Sequence, residues 1–350
     1  MAHSVTSRNN SWISASSALI SASISTSGLG AYGVSAEAGI ISPAYWVMRP
    51  DLRFVEPAYL HHFLRSDPYR TEIRRLSKDM PPNGYELPWS QFRQIRFPLL
   101  SIEVQRAIAD YLDAETARID ALIAKKRRMV ELLVERLSRL ANQYTVEPGC
   151  SIPLRRMVKQ VKTGTTPPAS VFARLQDGDS PWYSPSDVGS WIALNTPSRS
   201  LNEAAVREGW VPVFPKGSTL VVGIGATAGR VAHLARQASG NQQMTCLVPG
   251  PRILPRFLSW QLFSRTDELR ETAPFTTLPI LNNDFLQAVL LFVPSIEDQA
   301  VVIAHLDELA AKTTQASHLL GTQIALLGEH RQALITAAVT GELPVPGVAA

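Results

Sequence analysis

Residues 108–137, IADYLDAETARIDALIAKKRRMVELLVERL, form a stretch of the chain that contains neither glycine nor proline. The whole chain has 25 prolines and 20 glycines, so their exclusion from this stretch strongly constrains its structure. Most residues of the stretch are good helix formers. A helix over residues 101–140 would be about 60 Å long at 1.5 Å per residue. The sequence therefore predicts one long, uninterrupted helix.

A weaker copy of this stretch occurs at residues 303–335, and other segments also recur. The matching pairs are SIEVQ…YLD (101–113) with SIEDQ…HLD (295–307), PAYLHHFLRS (57–66) with PRFLSWQLFS (255–264), and GLGAYGV (28–34) with GIGATAGRV (223–231). Because the matches keep the same order at nearly constant separation, they predict a duplication. Each repeat would be an irregular α/β segment followed by a long helix.

The two repeats are unequal at their fronts. Gly223 lies 72 residues after Ser151, whereas Gly28 lies only 27 residues after Met1. A low-complexity tract of Ser, Ala and Ile precedes Gly28. We therefore expect the first repeat to be incomplete at its front.

Start and stop signals frame both helices. Ser101 is followed by Glu103, and Ser295 by Glu297, so each helix has a hydroxyl cap and a first-turn carboxylate. Gly341 follows the last turn of the second helix and favours termination there.

A heptad pattern predicts that the two helices pair with each other. The positions assigned to this role are Leu112, Ile119, Ile123, Val130, Leu133, Leu137, Leu320, Ile324, Leu327 and Leu334. The first helix carries the basic run KKRR at 125–128, and the second helix begins with acidic residues. An antiparallel arrangement would move this basic run toward the acidic start, so we predict an antiparallel coiled coil.

The predicted fold class is α/β, with two mixed α+β domains joined by the two long helices. The predicted segments are an incomplete first α+β domain (1–98), the first helix (99–147), a second α+β domain (148–293) and the second helix (294–345). Strands are predicted near 219–224, 244–248 and 289–293, where apolar and β-branched residues concentrate.

Composition indicates a globular protein that does not enter a membrane. Hydrophobic residues make up 45% of the chain, yet no apolar run is long enough to span a bilayer. The Ser-rich start lacks the apolar core of a signal peptide, and the two cysteines have no metal or disulfide spacing. We therefore expect a cytoplasmic protein.

The positive charge is concentrated outside the helices. Residues 151–290 hold fourteen Lys and Arg against nine Asp and Glu. This excess suggests a polyanionic partner, although an ordinary basic surface explains it equally well.

Catalytic signatures are missing from the sequence. TTPPA (165–169) and MPPNGY (80–85) lack the polar residue before Pro-Pro and the following aromatic residue of an adenine methyltransferase loop. GIGATAG lacks the Lys-Ser/Thr of a phosphate-binding loop. The seven histidines show no ligand spacing. We therefore predict no enzymatic activity, no catalytic residue and no metal site.

Several motifs together resemble those of type I restriction–modification specificity subunits. PSIEDQAVVIAHLD with HRQALITAAVTGELPV is similar to the second conserved region of that family, and SIEVQRAIADYLD with the residues after it is similar to the first. VKTGTTPPAS (161–170), WYSPSDVG (182–189) and the segment 214–249 are similar to the opening, the aromatic–Asp turn and the glycine-turn–Asn-Gln pattern of a target recognition domain.

The resemblance implies a non-catalytic subunit that reads a bipartite double-stranded DNA target. It further implies that the paired helices set the gap between half-sites and dock two adenine methyltransferase subunits, to which restriction and translocase subunits are added. No cofactor is expected on this chain. S-adenosylmethionine, ATP and Mg would be bound by the partner subunits.

Polar and basic residues of the second recognition domain are the candidate DNA contacts. They are Lys162, Thr163, Thr165, Thr166, Tyr183, Ser186, Arg199, Arg230, Gln242 and Gln243. Side chains of these types can meet base edges or phosphates. Asn241 and Gln242 could equally satisfy backbone groups, and Gly164 could simply permit a tight turn.

Three alternatives stay open. The chain could be a coiled-coil scaffold or adaptor whose α/β domain binds protein. It could be an inactive, truncated specificity subunit that no longer reads a full site. It could also be an isolated methyltransferase, for which the sequence offers no motif.

Overall fold

The computed structural model describes residues 23–25, 28–31, 34, 49–80, 84–146, 151–189, 191–274 and 278–348. The Ser-rich tract lies almost wholly outside these residues. The expected shortening of the first repeat at its front therefore also falls outside the described residues. Among the described helices, none is long and apolar enough to cross a membrane.

The chain is mixed α and β, as the sequence predicts. The helices are α1 (Pro57–Arg65), α2 (Asp67–Leu76), α3 (Trp89–Phe92), α4 (Ile102–Thr145), α5 (Ala169–Leu175), α6 (Glu203–Arg207), α7 (Pro255–Ser264), α8 (Thr266–Thr272), α9 (Asn283–Ala288) and α10 (Ile296–Thr340). The strands are β1 (Ser23–Ser25), β2 (Gly28–Ala31), β3 (Lys78–Met80), β4 (Gly84–Glu86), β5 (Ser151–Pro153), β6 (Val158–Thr163), β7 (Gln176–Tyr183), β8 (Arg199–Leu201), β9 (Thr219–Val222), β10 (Val231–His233), β11 (Ser239–Gly240), β12 (Met244–Pro249) and β13 (Leu290–Phe292).

Two sheets dominate the region between the long helices. One is antiparallel, with the strand order β10–β9–β12–β6. The other has the order β11–β7–β8, with β11 parallel to β7 and β8 antiparallel to it. The remaining strands pair two by two: β1 with β2, β3 with β4, and β5 with β13. The three strands predicted from sequence are confirmed as β9, β12 and β13.

The long helices begin and end where their sequence signals lie. The Ser101 hydroxyl accepts a bond from Val104 N at 3.4 Å, and the Ser295 hydroxyl accepts one from Asp298 N at 3.1 Å. These hydroxyls satisfy amide groups that the first turn leaves free. Gly341 has φ +80, a left-handed conformation that ends α10 at little steric cost.

The chain divides into two compact units. Unit 1 contains Met1–Arg127 and Leu320–Ala350, and unit 2 contains Arg128–Leu319. Each unit therefore takes one end of α4 and the opposite end of α10. The division falls within both helices, whereas the sequence placed the domain boundaries at the helix ends. Those boundaries stay a prediction.

Each unit has its own core, built around helix ends. In unit 1, α1 and α2 pack on the start of α4 and the end of α10, with Tyr59, Leu112 and Ile335 fully buried. In unit 2, the end of α4 and the start of α10 join the core of α7 through Leu137 and Leu306. Two further clusters of unit 2 pack apolar side chains of its two large sheets.

The helices run antiparallel within each unit, as predicted. In unit 1, Arg331 Nε lies 3.1 Å from Asp120 Oδ1, and Lys126 Nζ donates to Gln323 Oε1 at 2.7 Å. In unit 2, the ring of Tyr144 contacts that of His305 at 4.8 Å between centroids. From one pair to the next, the residue number rises along α4 while that of its partner falls along α10.

The charge argument that led to this prediction is wrong. Lys126 of the basic run bonds to an uncharged amide, and Arg128 pairs with Glu131 and Glu135 of its own helix. Near the start of α10, Glu308 is also paired within its own helix, with Lys312. Side-chain packing sets the antiparallel direction, because exposed ion pairs contribute little free energy.

The predicted duplication is confirmed by one repeated set of hydrogen bonds. In unit 1, buried Gln105 accepts from Glu56 N and donates to the carbonyls of Phe54 and Leu100. In unit 2, buried Gln299 accepts from Leu254 N and donates to the carbonyls of Arg252 and Pro294. Every partner corresponds across the repeat.

A second repeated bond follows each glutamine along the helix. Asp113 Oδ1 lies 2.7 Å from His62 Nε2 in unit 1, and Asp307 Oδ1 accepts from Trp260 Nε1 at 2.8 Å in unit 2. Both aspartates lie eight residues after their glutamine. The start of α4 is thus fixed to α1, and the start of α10 to α7, by corresponding hydrogen bonds.

Candidate nucleic-acid interface

Several loops of unit 2 meet at one edge of the four-stranded sheet. Thr163 pairs with Thr245, Met244 pairs with Val222, and Val221 pairs with Val231. The end of β6, the start of β12, the end of β9 and the start of β10 therefore share this edge. We call residues 163–166, 223–230, 241–243 and 282–283 the loop edge.

Backbone hydrogen bonds lock two of these loops together. Gly164 N donates to Met244 O and Thr165 N donates to Gly240 O, both at 2.9 Å. A Cβ atom on Gly164 would lie 2.2 Å from Asn241 O. Glycine is required at this position because two backbone segments approach too closely for any side chain.

Three polar side-chain pairs occupy the loop edge. The exposed Thr166 hydroxyl donates to Gln242 Oε1 at 2.6 Å. Thr163 Oγ1 lies 3.4 Å from Asn283 Oδ1 and 3.2 Å from its Nδ2. Gln243 donates through its backbone to Asn241 Oδ1 and accepts through Oε1 from Asn241 Nδ2. The edge thus combines exposed donors and acceptors with a fixed backbone.

Buried aromatic residues lie next to the loop edge. Trp182 is buried, and its indole Nε1 donates to Thr165 O at 3.2 Å. Tyr183 is only 5% exposed and packs in a core with Phe214 and Met244. The prediction had placed Tyr183 among the DNA contacts, but its ring lies inside the domain. Tertiary packing buries it, at the end of β7 where Pro181, Trp182 and Tyr183 are all buried.

The predicted cations occupy three different settings. Arg230 is exposed on the loop edge, directly before β10. Lys162 is half-buried, with Nζ 3.3 Å from Val213 O. Arg199 is exposed on β8, with its guanidinium over the Phe172 ring at 5.2 Å from the centroid. Of these three cations, Arg230 alone is both exposed and on the loop edge.

The SPSD segment forms a tight structural turn. Asp187 is buried and accepts from Ser184 N at 2.7 Å, from the Ser184 hydroxyl at 2.8 Å and from Ser198 N at 3.0 Å. Ser186 is exposed, with its hydroxyl 2.8 Å from that of Ser184. The carboxylate of the aromatic–Asp motif therefore stabilises backbone, and only Ser186 of this turn faces outward.

Two asparagines of the loop edge were missed by sequence reasoning. Asn282 caps α9 by accepting from Phe285 N at 2.8 Å, and Asn283 bonds to Thr163. The Asn-Asn pair before a short amphipathic stretch was a readable cap signal. Its proximity to Thr163 depends on the bridge between Ile224 and Ile280, which no local pattern reveals.

The predicted helix-pairing residues are divided by burial. Those fully buried are Leu112, Ile119 and Leu137. Those half-buried are Ile123, Val130, Leu133, Leu320, Ile324, Leu327 and Leu334. Buried positions are already packed within the chain, so they cannot also present a surface to a partner. The long helices instead expose Leu122, Met129, Leu132, Leu319 and Leu326.

The loop edge lies within a recognisable family domain. Residues 157–323 match the family model described as the type I restriction modification DNA specificity domain. The matched residues, just under half of the chain, therefore form a type I restriction–modification DNA specificity domain. A domain of this kind agrees with the expectation that the chain is not itself an enzyme.

Curated type I specificity subunits are distant relatives of this chain. It is 26% identical over 181 residues to the type I restriction enzyme MjaIX specificity subunit of Methanocaldococcus jannaschii, covering 48% of this chain and 42% of the relative. It is 24% identical over 168 residues to the EcoR124I/EcoR124II specificity subunit of Escherichia coli, covering 47% and 41%. The matched region thus spans less than half the length of either relative.

One solved structure shares the fold. It is described as the structural basis of complex assembly and conformational transition of the type I R-M system. The similarity has a TM-score of 0.68 at 19% identity and covers 97% of this chain and 85% of that chain. The predicted combination of mixed α/β domains with two long helices is thereby confirmed.

Proposed function

We propose that this chain is the DNA sequence-recognition subunit of a type I restriction–modification complex, and that the loop edge of unit 2 reads one part of the target. The observation that carries the proposal is the position of the loop edge, which lies entirely within the matched specificity domain. Exposed hydroxyl and amide groups on a fixed backbone suit direct reading of base edges. Arg230 would set the register by binding a phosphate.

We further propose that the target is bipartite. The support is the internal duplication, since Gln105 and Gln299 anchor the two helix starts through corresponding bonds. A duplicated chain with one reader in each repeat would select two sequence blocks separated by a gap. Selection of a single block would contradict this part of the proposal.

The proposed partners are two adenine methyltransferase subunits docked on the long helices, together with restriction and translocase subunits. Exposed leucines on α10, such as Leu319 and Leu326, offer apolar surface for such contacts. S-adenosylmethionine, ATP and Mg would bind the partners, and this chain would bind no cofactor. Because its substrate is cellular DNA, the complex would be cytoplasmic.

Replacing Gly164 by alanine tests whether the loop edge is the reader. The new Cβ would clash with the carbonyls of Gly240 and Asn241, forcing the two loops apart. We expect a loss of sequence selection from a randomised duplex library, with a destabilisation of about 3 kcal/mol.

Gly321→Ala is the matched control, since a Cβ at this helical position meets nothing within 4 Å. This variant should select the wild-type sequence and be more stable by about 1 kcal/mol. If the wild-type chain bound its protein partners but selected no DNA sequence, an adaptor would be the better explanation. Sequence selection that survived in Gly164→Ala would show that the reader lies elsewhere.

A further inference from the structure

Gln242 is held outward on the loop edge by its neighbours. Asn241 N donates to Tyr183 O at 2.9 Å, and Met244 N donates to Asn241 O at 3.0 Å. Gln243 N bonds to Asn241 Oδ1 at 3.0 Å, and Gln243 O accepts from Gly223 N at 2.7 Å. The backbone on both sides of Gln242 is therefore fixed, while its side chain is exposed.

The amide of Gln242 is also oriented. The Thr166 hydroxyl donates to Oε1 at 2.6 Å, which turns the Nε2 group away from Thr166. An amide oxygen has two acceptor sites, so one remains open after this bond. Among the residues that the structure describes, no hydrogen bond engages the Nε2 group, so the exposed end of Gln242 presents one acceptor beside two N–H donors in a fixed orientation.

Other amides of the loop edge lack this combination. Asn283 has both its oxygen and its nitrogen within 3.4 Å of the same Thr163 hydroxyl. Gln243 is half-buried, and its Oε1 accepts from Asn241 Nδ2 at 3.3 Å. Both side chains hold loops together, whereas within the described part of the chain the Gln242 amide is bonded through Oε1 alone.

We propose that Gln242 reads an adenine in the major groove and that Thr166 acts as its positioning residue. The inference rests on the proposed function. Adenine presents an N6 donor beside an N7 acceptor, which an oriented amide meets with two hydrogen bonds. Guanine presents two acceptors at these places, so Oε1 would face O6 without a proton between them. Cytosine offers one donor, and thymine one acceptor beside a methyl group.

The test is selection from a randomised duplex library by the full chain and its variants. Wild type should fix an A·T pair at one position of its motif. Gln242→Glu replaces the donor by an acceptor, and a carboxylate accepts from cytosine N4. We expect it to lose the adenine preference at that position by about 5-fold to 150-fold and to shift toward cytosine.

Gln237→Glu is the matched control, because it introduces the same charge on an exposed side chain outside the loop edge. It should leave the adenine position unchanged. Thr166→Val removes the orienting hydroxyl and should weaken the adenine preference without a uniform loss of affinity, whereas Thr166→Ser should retain it.

The two proposals fail in different ways. A wild-type chain that selects no motif would overturn the proposed DNA recognition. A wild-type motif that Gln242→Glu leaves unaltered, or weakens equally for every sequence, would overturn the adenine assignment while DNA recognition stands.

Discussion

At the scale of single residues, two buried glutamines fix the long helices to the rest of each unit. Gln105 and Gln299 are fully buried, and each satisfies one amide and two carbonyl groups of loop backbone. Buried polar groups without partners cost free energy, so such a side chain determines where the loop can lie.

Replacing Gln299 by leucine should therefore be costly. The apolar side chain would leave Leu254 N and the carbonyls of Arg252 and Pro294 without their partner. We expect a loss of roughly 3 kcal/mol in the free energy of unfolding, measured by urea denaturation. Gln315→Leu on the exposed side of the same helix is the control and should change stability little. Equal stability of the two variants would contradict this role for Gln299.

His233 makes the stability of unit 2 sensitive to acid. Burial lowers its pKa from 6.5 to about 4, with nearby Arg256 lowering it further and Asp307 opposing the shift. Because the unfolded chain binds the proton more tightly, protonation favours unfolding. The contribution of neutral His233 is complete above pH 6.5 and is lost progressively as the pH falls toward 4.

A glutamine at position 233 should flatten this dependence. Gln cannot titrate, so His233→Gln should lose less stability than wild type between pH 7 and pH 4.5, as measured by thermal unfolding across that range. His330→Gln at an exposed position serves as the reference. Parallel pH profiles for wild type and His233→Gln would show that the histidine is not responsible.

At the scale of elements, the long helices have two separate apolar surfaces. One joins the helices to each other and to the cores, and it includes Leu112, Leu137 and Leu306. The other is exposed: Leu319 and Leu326, one heptad apart on α10, are 57% and 56% exposed. An apolar side chain gains free energy when it is covered, so exposed leucines on a helix suit a partner.

Charged residues on the exposed surface should block partner docking. We expect Leu319→Glu with Leu326→Glu to abolish co-purification with an adenine methyltransferase subunit while the circular dichroism of the chain stays unchanged. Leu278→Glu, at an exposed leucine outside both long helices, should bind the partner normally. An intact complex with the double variant would place the docking surface elsewhere.

At the scale of the whole molecule, each compact unit combines parts of both repeats. Unit 1 takes the start of α4 with the end of α10, and unit 2 takes the start of α10 with the end of α4. Neither repeat can complete its core alone, because Leu112 packs with Ile335 in one unit and Leu137 clusters with Leu306 in the other.

Cutting the chain between residues 147 and 150 should therefore leave an associated protein. We expect the two fragments, co-expressed with different affinity tags, to co-purify in equal amounts. Ile335→Asp in the second fragment should weaken the association, since this residue is fully buried against the first repeat. Fragments that did not associate would show that the covalent connection is needed to bring the repeats together.

Local sequence patterns predicted the helices and strands, but they did not identify which side chains are exposed to a binding partner. The exposure of Thr166 and Gln242 agrees with their selection from sequence, whereas Tyr183 lies in the core. The signal that selected Tyr183 was residue type alone. Its burial depends on strands β7 and β11 lying side by side, a contact between segments more than fifty residues apart.

The sequence by itself determined the long helices, their caps, the duplication and the resemblance to a family, because these depend on spacing, local hydrogen bonds and recurring residues. Only the tertiary structure decided how the helix ends are shared between two units and which loops meet at one sheet edge. Those features depend on side chains far apart in the chain burying one another, as Leu137 does with Leu306. The same physical cause sets the antiparallel direction of the helices. The sequence analysis inferred that direction from charged residues that do not meet. Packing of buried apolar groups contributes more free energy than exposed ion pairs do, and no local pattern shows which residues will pack together.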